Sequence, residues 1–179
     1  MATFISHSPA ETERLGETWG RAAESGLLLG LSGDLGAGKT QFVKGVARGL
    51  GITARVHSPT FALVNIYEGG RLTLFHLDLY RLNTPEQVIA AGLEEYFQPR
   101  GVTIIEWAER WFGLQPAVHG RESQVSTLKP QVQGPKSNCE RPELATINNQ
   151  LPCTGRVFHV YLETLSETER RISYEDPGP

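Results

Sequence analysis

The chain has 179 residues, 39% of them hydrophobic, and its 17 basic and 20 acidic side chains leave a formal charge of −3. That length suits one domain and is short for two substantial ones, and the charge balance makes no electrostatic case for nucleic-acid binding by the chain alone. With no apolar run of membrane-spanning length and no basic-then-hydrophobic leader, neither a membrane span nor a secretory signal is expected. Cys139 and Cys153 have neither metal-ligand spacing nor a disulfide framework, so a reducing, cytoplasmic setting is the expectation.

The first helix begins at Ser8, a good N-cap, with Pro9 at the first helical position and Glu11 placed to complete a capping box with Ser8. Leu15, Trp19, Ala22 and Ala23 form its apolar stripe, and Gly26 ends it. The plain reading is a helix packed on a sheet, and sequence favours it over a helix start lying near a nucleotide base.

Leu27-Leu28-Leu29-Gly30-Leu31-Ser32 reads as a short buried strand. Gly33-Asp34-Leu35-Gly36-Ala37-Gly38-Lys39-Thr40 follows and fits the phosphate-loop pattern G-x-x-x-x-G-K-[ST]. Phe42, Val43, Val46, Ala47 and Leu50 then repeat at helical spacing until Gly51. A strand, a glycine loop and a helix in that order aim backbone N–H groups and the positive end of a helix dipole at one point. In such a loop the glycines let the backbone approach a polyphosphate, Lys39 reaches its outer phosphates, and the Thr40 hydroxyl is placed for Mg²⁺. The stretch is read as a nucleoside triphosphate site.

Two readings of His57-Ser58-Pro59-Thr60-Phe61 stay level: a switch-like loop sensing a terminal phosphate, or a polar turn whose Ser58 and Thr60 bond their own backbone. Residues 62–67 and 72–77 are read as strands joined by the turn Glu68-Gly69-Gly70-Arg71, hence antiparallel. The second ends in Asp78, the usual place for an acidic partner to magnesium in a phosphate-loop fold; pairing with Arg81 is the ordinary alternative. His76 lacks a metal-ligand spacing to another His or Cys and is read as a plain strand histidine.

Thr84-Pro85-Glu86-Gln87 starts a second capped helix, interrupted by Gly92, with a turn or short helix over residues 93–97. Val102-Thr103-Ile104-Ile105 has the β-branched make-up of a buried parallel strand and ends in Glu106. Glu106 is thus a second carboxylate on the ligand-binding side of an open α/β sheet, competing with Asp78. The tract at about 115–152, rich in Gln, Ser, Pro and Asn, shows neither period and is read as a disordered insertion. Residues 157–162 and 170–174 then form strands of a closing hairpin, expected on the sheet edge.

Taken together, the phosphate loop, Ser58-Pro59-Thr60-Phe61, His76-Leu77-Asp78-Leu79-Tyr80-Arg81-Leu82 and Ile105-Glu106-Trp107-Ala108-Glu109-Arg110 resemble, in order and spacing, the TsaE (YjeE) family of tRNA threonylcarbamoyladenosine biosynthesis ATPases. The resemblance runs from Phe4 to about residue 114. It implies an α/β P-loop NTPase three-layer sandwich, with a mixed, mainly parallel sheet, helices on both faces and a C-terminal β-hairpin. It also implies slow, partner-stimulated hydrolysis of ATP with Mg²⁺, in company with a TsaD–TsaB pair that modifies the adenosine beside the tRNA anticodon. Contact with tRNA would be indirect, through that complex.

By position, Gly36, Ala37, Gly38, Lys39, Thr40 and Gln41 would cradle the phosphates, and Thr40 and Glu106 would serve the metal. Asp78 would position water or act in turnover together with Lys39 and Thr60, Trp107 would pack close by, and Arg171 would reach nucleotide. Typical members lack the polar tract. Two other functions keep the same loop: a small-molecule kinase, which needs an acceptor pocket and a basic lid, and a nucleotide-switched binding module whose hydrolysis is incidental.

Overall fold

The computed structural model describes residues 2–97, 100–113 and 157–175, all within one compact unit. The polar tract at 115–152 and both cysteines lie outside the described residues. The chain runs β1 (Ala2–Ser6), α1 (Pro9–Ala22), β2 (Leu27–Ser32), α2 (Lys39–Gly49), β3 (Val64–Tyr67), β4 (Leu74–Asp78), α3 (Pro85–Ala90), a 3-10 helix (Leu93–Phe97), β5 (Val102–Glu106), α4 (Glu109–Phe112), β6 (Val157–Thr164) and β7 (Arg170–Glu175). The strands make one mixed sheet in the order β1-β7-β6-β2-β5-β4-β3. Its centre, β6-β2-β5-β4, is parallel, whereas β3 and the β7–β1 pair are added antiparallel.

Local chemistry explains most element ends. Ser8 Oγ accepts the Glu11 N–H at 3.3 Å, and Thr84 Oγ1 accepts the Gln87 N–H at 3.4 Å, so both helix starts are side-chain capped. Glu11 departs from the expected reciprocal box: its carboxylate accepts the His7 N–H at 2.8 Å, one residue before the cap. At the other end of α1, the Arg71 guanidinium donates to the carbonyls of Gly20 and Ala23 at 2.6 Å and Arg21 at 3.0 Å, satisfying acceptors the helix leaves open.

The two faces of the sheet carry different helices. Leu29, Leu31, Leu74, Val102, Ile104, Val160, Leu162 and Ile172 join Phe42, Val43, Val46 and Ala47 of α2 in one buried cluster. Trp19 of α1 closes it with edge-to-face contacts to Phe42, Phe158 and Tyr174. On the opposite face α4 and the 3-10 helix pack together, with Phe97 against Trp111 and Phe112 against His159.

Helices α1 and α2 meet backbone to backbone. A Cβ added to Gly16 or Gly20 would come 2.2 Å from the carbonyl oxygen of Phe42 or Val46. One added to Gly45 or Gly49 would come 2.0 or 2.2 Å from that of Glu13 or Glu17. Two glycines on each helix, four residues apart, therefore let the two axes approach more closely than side chains would allow.

Helix α1 ends at Ala22, before the expected stop at Gly26, and the closing hairpin does not lie on the sheet edge. The β6–β7 hairpin is interior, because β1 pairs with β7 from Ala2↔Tyr174 to Ser6↔Arg170 and takes the edge itself. In β1 only Ser6 is buried, so the strand is held by its ladder and shows no apolar alternation to be read. Among the described residues no helix is long and apolar enough to cross a membrane.

Candidate functional site

The parallel strands β2, β5, β4 and β6 all deliver their C-terminal ends to the same rim, where an open α/β sheet binds ligands. The phosphate loop leaves β2 there. Gly33 (φ +133°) is obligatory, since a Cβ would stand 2.0 Å from the Leu162 carbonyl oxygen of β6. Gly38, the N-cap of α2, takes the left-handed conformation at φ +101°, with no side-chain cap on the helix's first N–H groups. Those N–H groups and the dipole behind them face the loop's hollow. A Cβ on Gly38 would lie 3.8 Å from Thr12 Cγ2, so the start of α1 borders the loop.

Lys39 is 4% exposed and folded back on its own loop, where Nζ donates to the carbonyls of Gly33 at 2.6 Å and Asp34 at 2.8 Å. The Trp107 ring covers it, with Nζ 3.8 Å from the ring centroid. Trp107 reaches that position from a left-handed backbone (φ +61°) directly after β5, a strained conformation for an aromatic residue. Its other neighbour is Tyr80, 5.0 Å away between ring centroids. Burial lowers the Lys39 pKa below 10.5, while Glu106, Glu109, Asp78 and Asp34, in falling order, oppose the shift. The lysine therefore sits among carboxylates that outnumber it.

Asp78 and Glu106, rivals in the sequence, are cross-strand partners on β4 and β5 and do different things. Glu106, 4% exposed, accepts the Thr40 hydroxyl on Oε1 at 2.8 Å. Asp78, 2% exposed, accepts the hydroxyls of Ser58 at 2.8 Å and Thr60 at 2.5 Å on Oδ2, and the Tyr80 N–H at 2.9 Å on Oδ1. With both hydrogens given to that carboxylate, the Ser58 and Thr60 hydroxyl oxygens are brought to 2.7 Å of each other. The Ser58–Thr60 segment is thereby clasped to the rim through side chains, which the plain polar-turn reading did not anticipate. Asp78 is not paired to Arg81, whose guanidinium lies 5.5 Å over the exposed Phe61 ring.

Two sequence candidates point elsewhere in this state. The Gln41 side chain hydrogen-bonds Glu13 of α1 and accepts from Lys44 at 3.3 Å, which leaves only its backbone for the loop. Arg171 is ion-paired with Glu163 at 2.9 Å across the β6–β7 ladder, near the same rim. His76, read from sequence as a plain strand residue, lies wholly buried with Nε2 2.8 Å from Glu106 Oε1. Its spacing of two from Asp78 on one strand was the available signal, because alternate strand residues share a face.

The oxygen donors fit Mg²⁺. Thr40 Oγ1 and Glu106 Oε1 stand 2.8 Å apart, and neighbouring corners of an octahedron with metal–oxygen bonds of about 2.0–2.1 Å are roughly 2.9 Å apart. Among the described residues no group of three or more His, Cys, Asp or Glu is gathered to cage a metal. A cation here would complete its shell from phosphate and water, as Mg²⁺ does.

Comparison with known proteins gives three consistent findings. The sequence model of TsaE, threonylcarbamoyl adenosine biosynthesis protein, matches residues 6–134. Proteins named tRNA threonylcarbamoyladenosine biosynthesis protein TsaE are similar: that of Treponema pallidum is 48% identical over 106 residues, 59% of this chain and 78% of its own length. The Bacillus subtilis relative is 46% identical over 101 residues, 56% of this chain and 63% of its own length. The crystal structure of Bacillus subtilis YdiB superposes with a TM-score of 0.64 at 29% identity, covering 99% of this chain and 86% of that one.

Proposed function

The chain belongs to the TsaE family, and from that premise we propose that it is a Mg²⁺-dependent ATPase serving threonylcarbamoyladenosine formation in tRNA, together with TsaD and TsaB partners in the cytoplasm. One observation carries the reading: the phosphate loop's Thr40 is joined to the strand-end carboxylate of Glu106, one strand away from an Asp78 that holds the Ser58–Thr60 loop. A phosphate loop alone supports nucleotide binding. A second acidic strand end tied to a hydroxyl-rich loop supports hydrolysis governed by that loop.

In this reading the triphosphate lies across the N–H groups at the start of α2. Lys39 exchanges the carbonyls of Gly33 and Asp34 for phosphate oxygens, and Gly36, Ala37, Gly38 and Gln41 contribute backbone amides. Thr40 and Glu106 hold Mg²⁺, which when bound neutralises phosphate charge as it develops. The carboxylates around Lys39 give the metal a second purpose, since a polyanion would otherwise meet a negative rim. Asp78, released from one hydroxyl, orients the attacking water, and Thr60 follows the terminal phosphate. Trp107 covers the site, and Arg171 serves nucleotide only after leaving Glu163.

Reconstitution with TsaD and TsaB tests this. Multiple-turnover tRNA modification should require the chain, its ATPase rate should rise with the partners present, and Lys39→Ala should lose both. An equal rate of hydrolysis with and without the partners would refute partner stimulation. Full tRNA modification by an Asp78→Ala variant that is measured to bind ATP without hydrolysing it would favour a binding module over an ATPase.

A further inference from the structure

Resting on that reading, we propose that His76 is a positioning residue for the metal-binding carboxylate. Leu74, His76 and Asp78 face the same side of β4, opposite Val102, Ile104 and Glu106 of β5 in the pairs Leu74↔Val102, His76↔Ile104 and Asp78↔Glu106. His76 is thus the diagonal neighbour of Glu106, within cross-strand reach. Its ring is 0% exposed, with Nε2 2.8 Å from Glu106 Oε1, the atom that also accepts Thr40 Oγ1 at 2.8 Å.

The tautomer follows from the partners. A carboxylate oxygen only accepts, so the hydrogen is on Nε2. Nδ1 is buried with no hydrogen-bond partner, a bare ring nitrogen instead of an orphaned N–H. The imidazole is committed to Glu106 and to nothing else.

That commitment matters when Thr40 changes partner. In this state Oε1 is fixed by two donors, and a hydroxyl that turns to a cation removes one of them. His76 remains, holding the Glu106 rotamer while the cation arrives. The motif His76-Leu77-Asp78 then places two adjacent functions on one strand face: a clamp on the metal carboxylate, and the carboxylate that clasps the Ser58–Thr60 loop. A histidine kept only to fill the core would influence stability and leave metal coupling alone.

The test uses the full chain and a non-hydrolysable ATP analogue, titrated calorimetrically in Mg²⁺ and in EDTA; the ratio of the two affinities is the metal coupling. His76→Leu keeps an apolar side chain of similar bulk and removes the donor. It should reduce the coupling about 10- to 100-fold, the usual effect of losing a partner behind a metal ligand, and leave the affinity in EDTA unchanged. His76→Gln returns an amide N–H toward the Nε2 position and should restore most of the coupling. The parent protein supplies a check that needs no variant: with ¹⁵N-labelled histidine, the His76 Nε2 resonance should move when Mg²⁺ is added to the analogue complex.

Undiminished coupling in His76→Leu, no recovery in His76→Gln, or an unmoved resonance would each overturn the proposal while the nucleotide–metal reading stands. A parent protein with no Mg²⁺ effect on analogue binding would overturn both.

Discussion

Gly16→Ala and Gly20→Ala set two physical effects of opposite sign against each other. In an exposed helix, glycine to alanine gains about 1 kcal/mol from backbone propensity. Here the new methyl would lie 2.2 Å from the Phe42 or Val46 carbonyl oxygen, well inside the roughly 3.5–4.0 Å of an optimal nonbonded contact. The obstructing atoms are helix backbone, and the facing residues Gly45 and Gly49 have no side chain to move aside. Relief therefore means moving α1 away from α2, which opens the Trp19–Phe42 contact at their shared core. Overpacking costs about 1–3 kcal/mol, and a clash with helix backbone falls in the upper part of that range, about 2–3 kcal/mol, so after the propensity gain a net loss of about 1–2 kcal/mol per site follows. For a chain of this size that lowers Tm by roughly 2–8 °C. Thermal and urea unfolding of each variant would measure it, with nucleotide affinity read alongside because α2 carries the phosphate loop. A rise in Tm in either variant would refute the close-packing argument.

Lys39→Met tests the buried lysine through pH. Its folded pKa lies below 10.5 because of burial, so as pH falls through 10.5 the unfolded chain takes up the proton first and this lysine subtracts from stability at neutral pH. Urea unfolding should therefore show the variant's stability relative to the parent declining between pH 7 and pH 10; a constant difference would contradict it. Asp78→Asn keeps the shape of the carboxylate and removes its charge, so ATP turnover should fall about 10²-fold or more while analogue binding persists, as single-turnover kinetics and calorimetry can separate. Arg71→Ala should cost about 1 kcal/mol in urea unfolding, from lost capping of α1 by an exposed side chain, with no change in nucleotide affinity.

Where side chain and backbone speak to each other within a few residues, the sequence was a good guide. The Ser8 and Thr84 caps, the phosphate loop, the hairpin around Gly69-Gly70 and the β-branched strand before Glu106 are all local signals of that kind. The competition between Asp78 and Glu106 could not be resolved from local pattern, because it depends on which strands lie side by side and in what register. Once β4 and β5 are paired, both carboxylates reach the rim, and their partners on other elements separate them. His76 was passed over for the same reason: its partner is thirty residues away in sequence. Strand β1 was missed because its side chains are mostly exposed. The glycines of α1 and α2 show their spacing of four plainly, yet nothing in one helix tells which other helix they meet.

The contact between Gly33 and the Leu162 carbonyl has a consequence for how the protein is made. Residues 33–40 are made before most of the sheet, yet their parent strand β2 is paired by the later strands β5 on one side and β6 on the other. The wall against which Gly33 is pressed belongs to β6, a strand made only after β3, β4 and β5. Such distant pairings are slow to close, because chain entropy is spent before the contacts form. The growing chain accordingly carries the whole glycine-loop sequence long before it has the strand contacts that shape that loop.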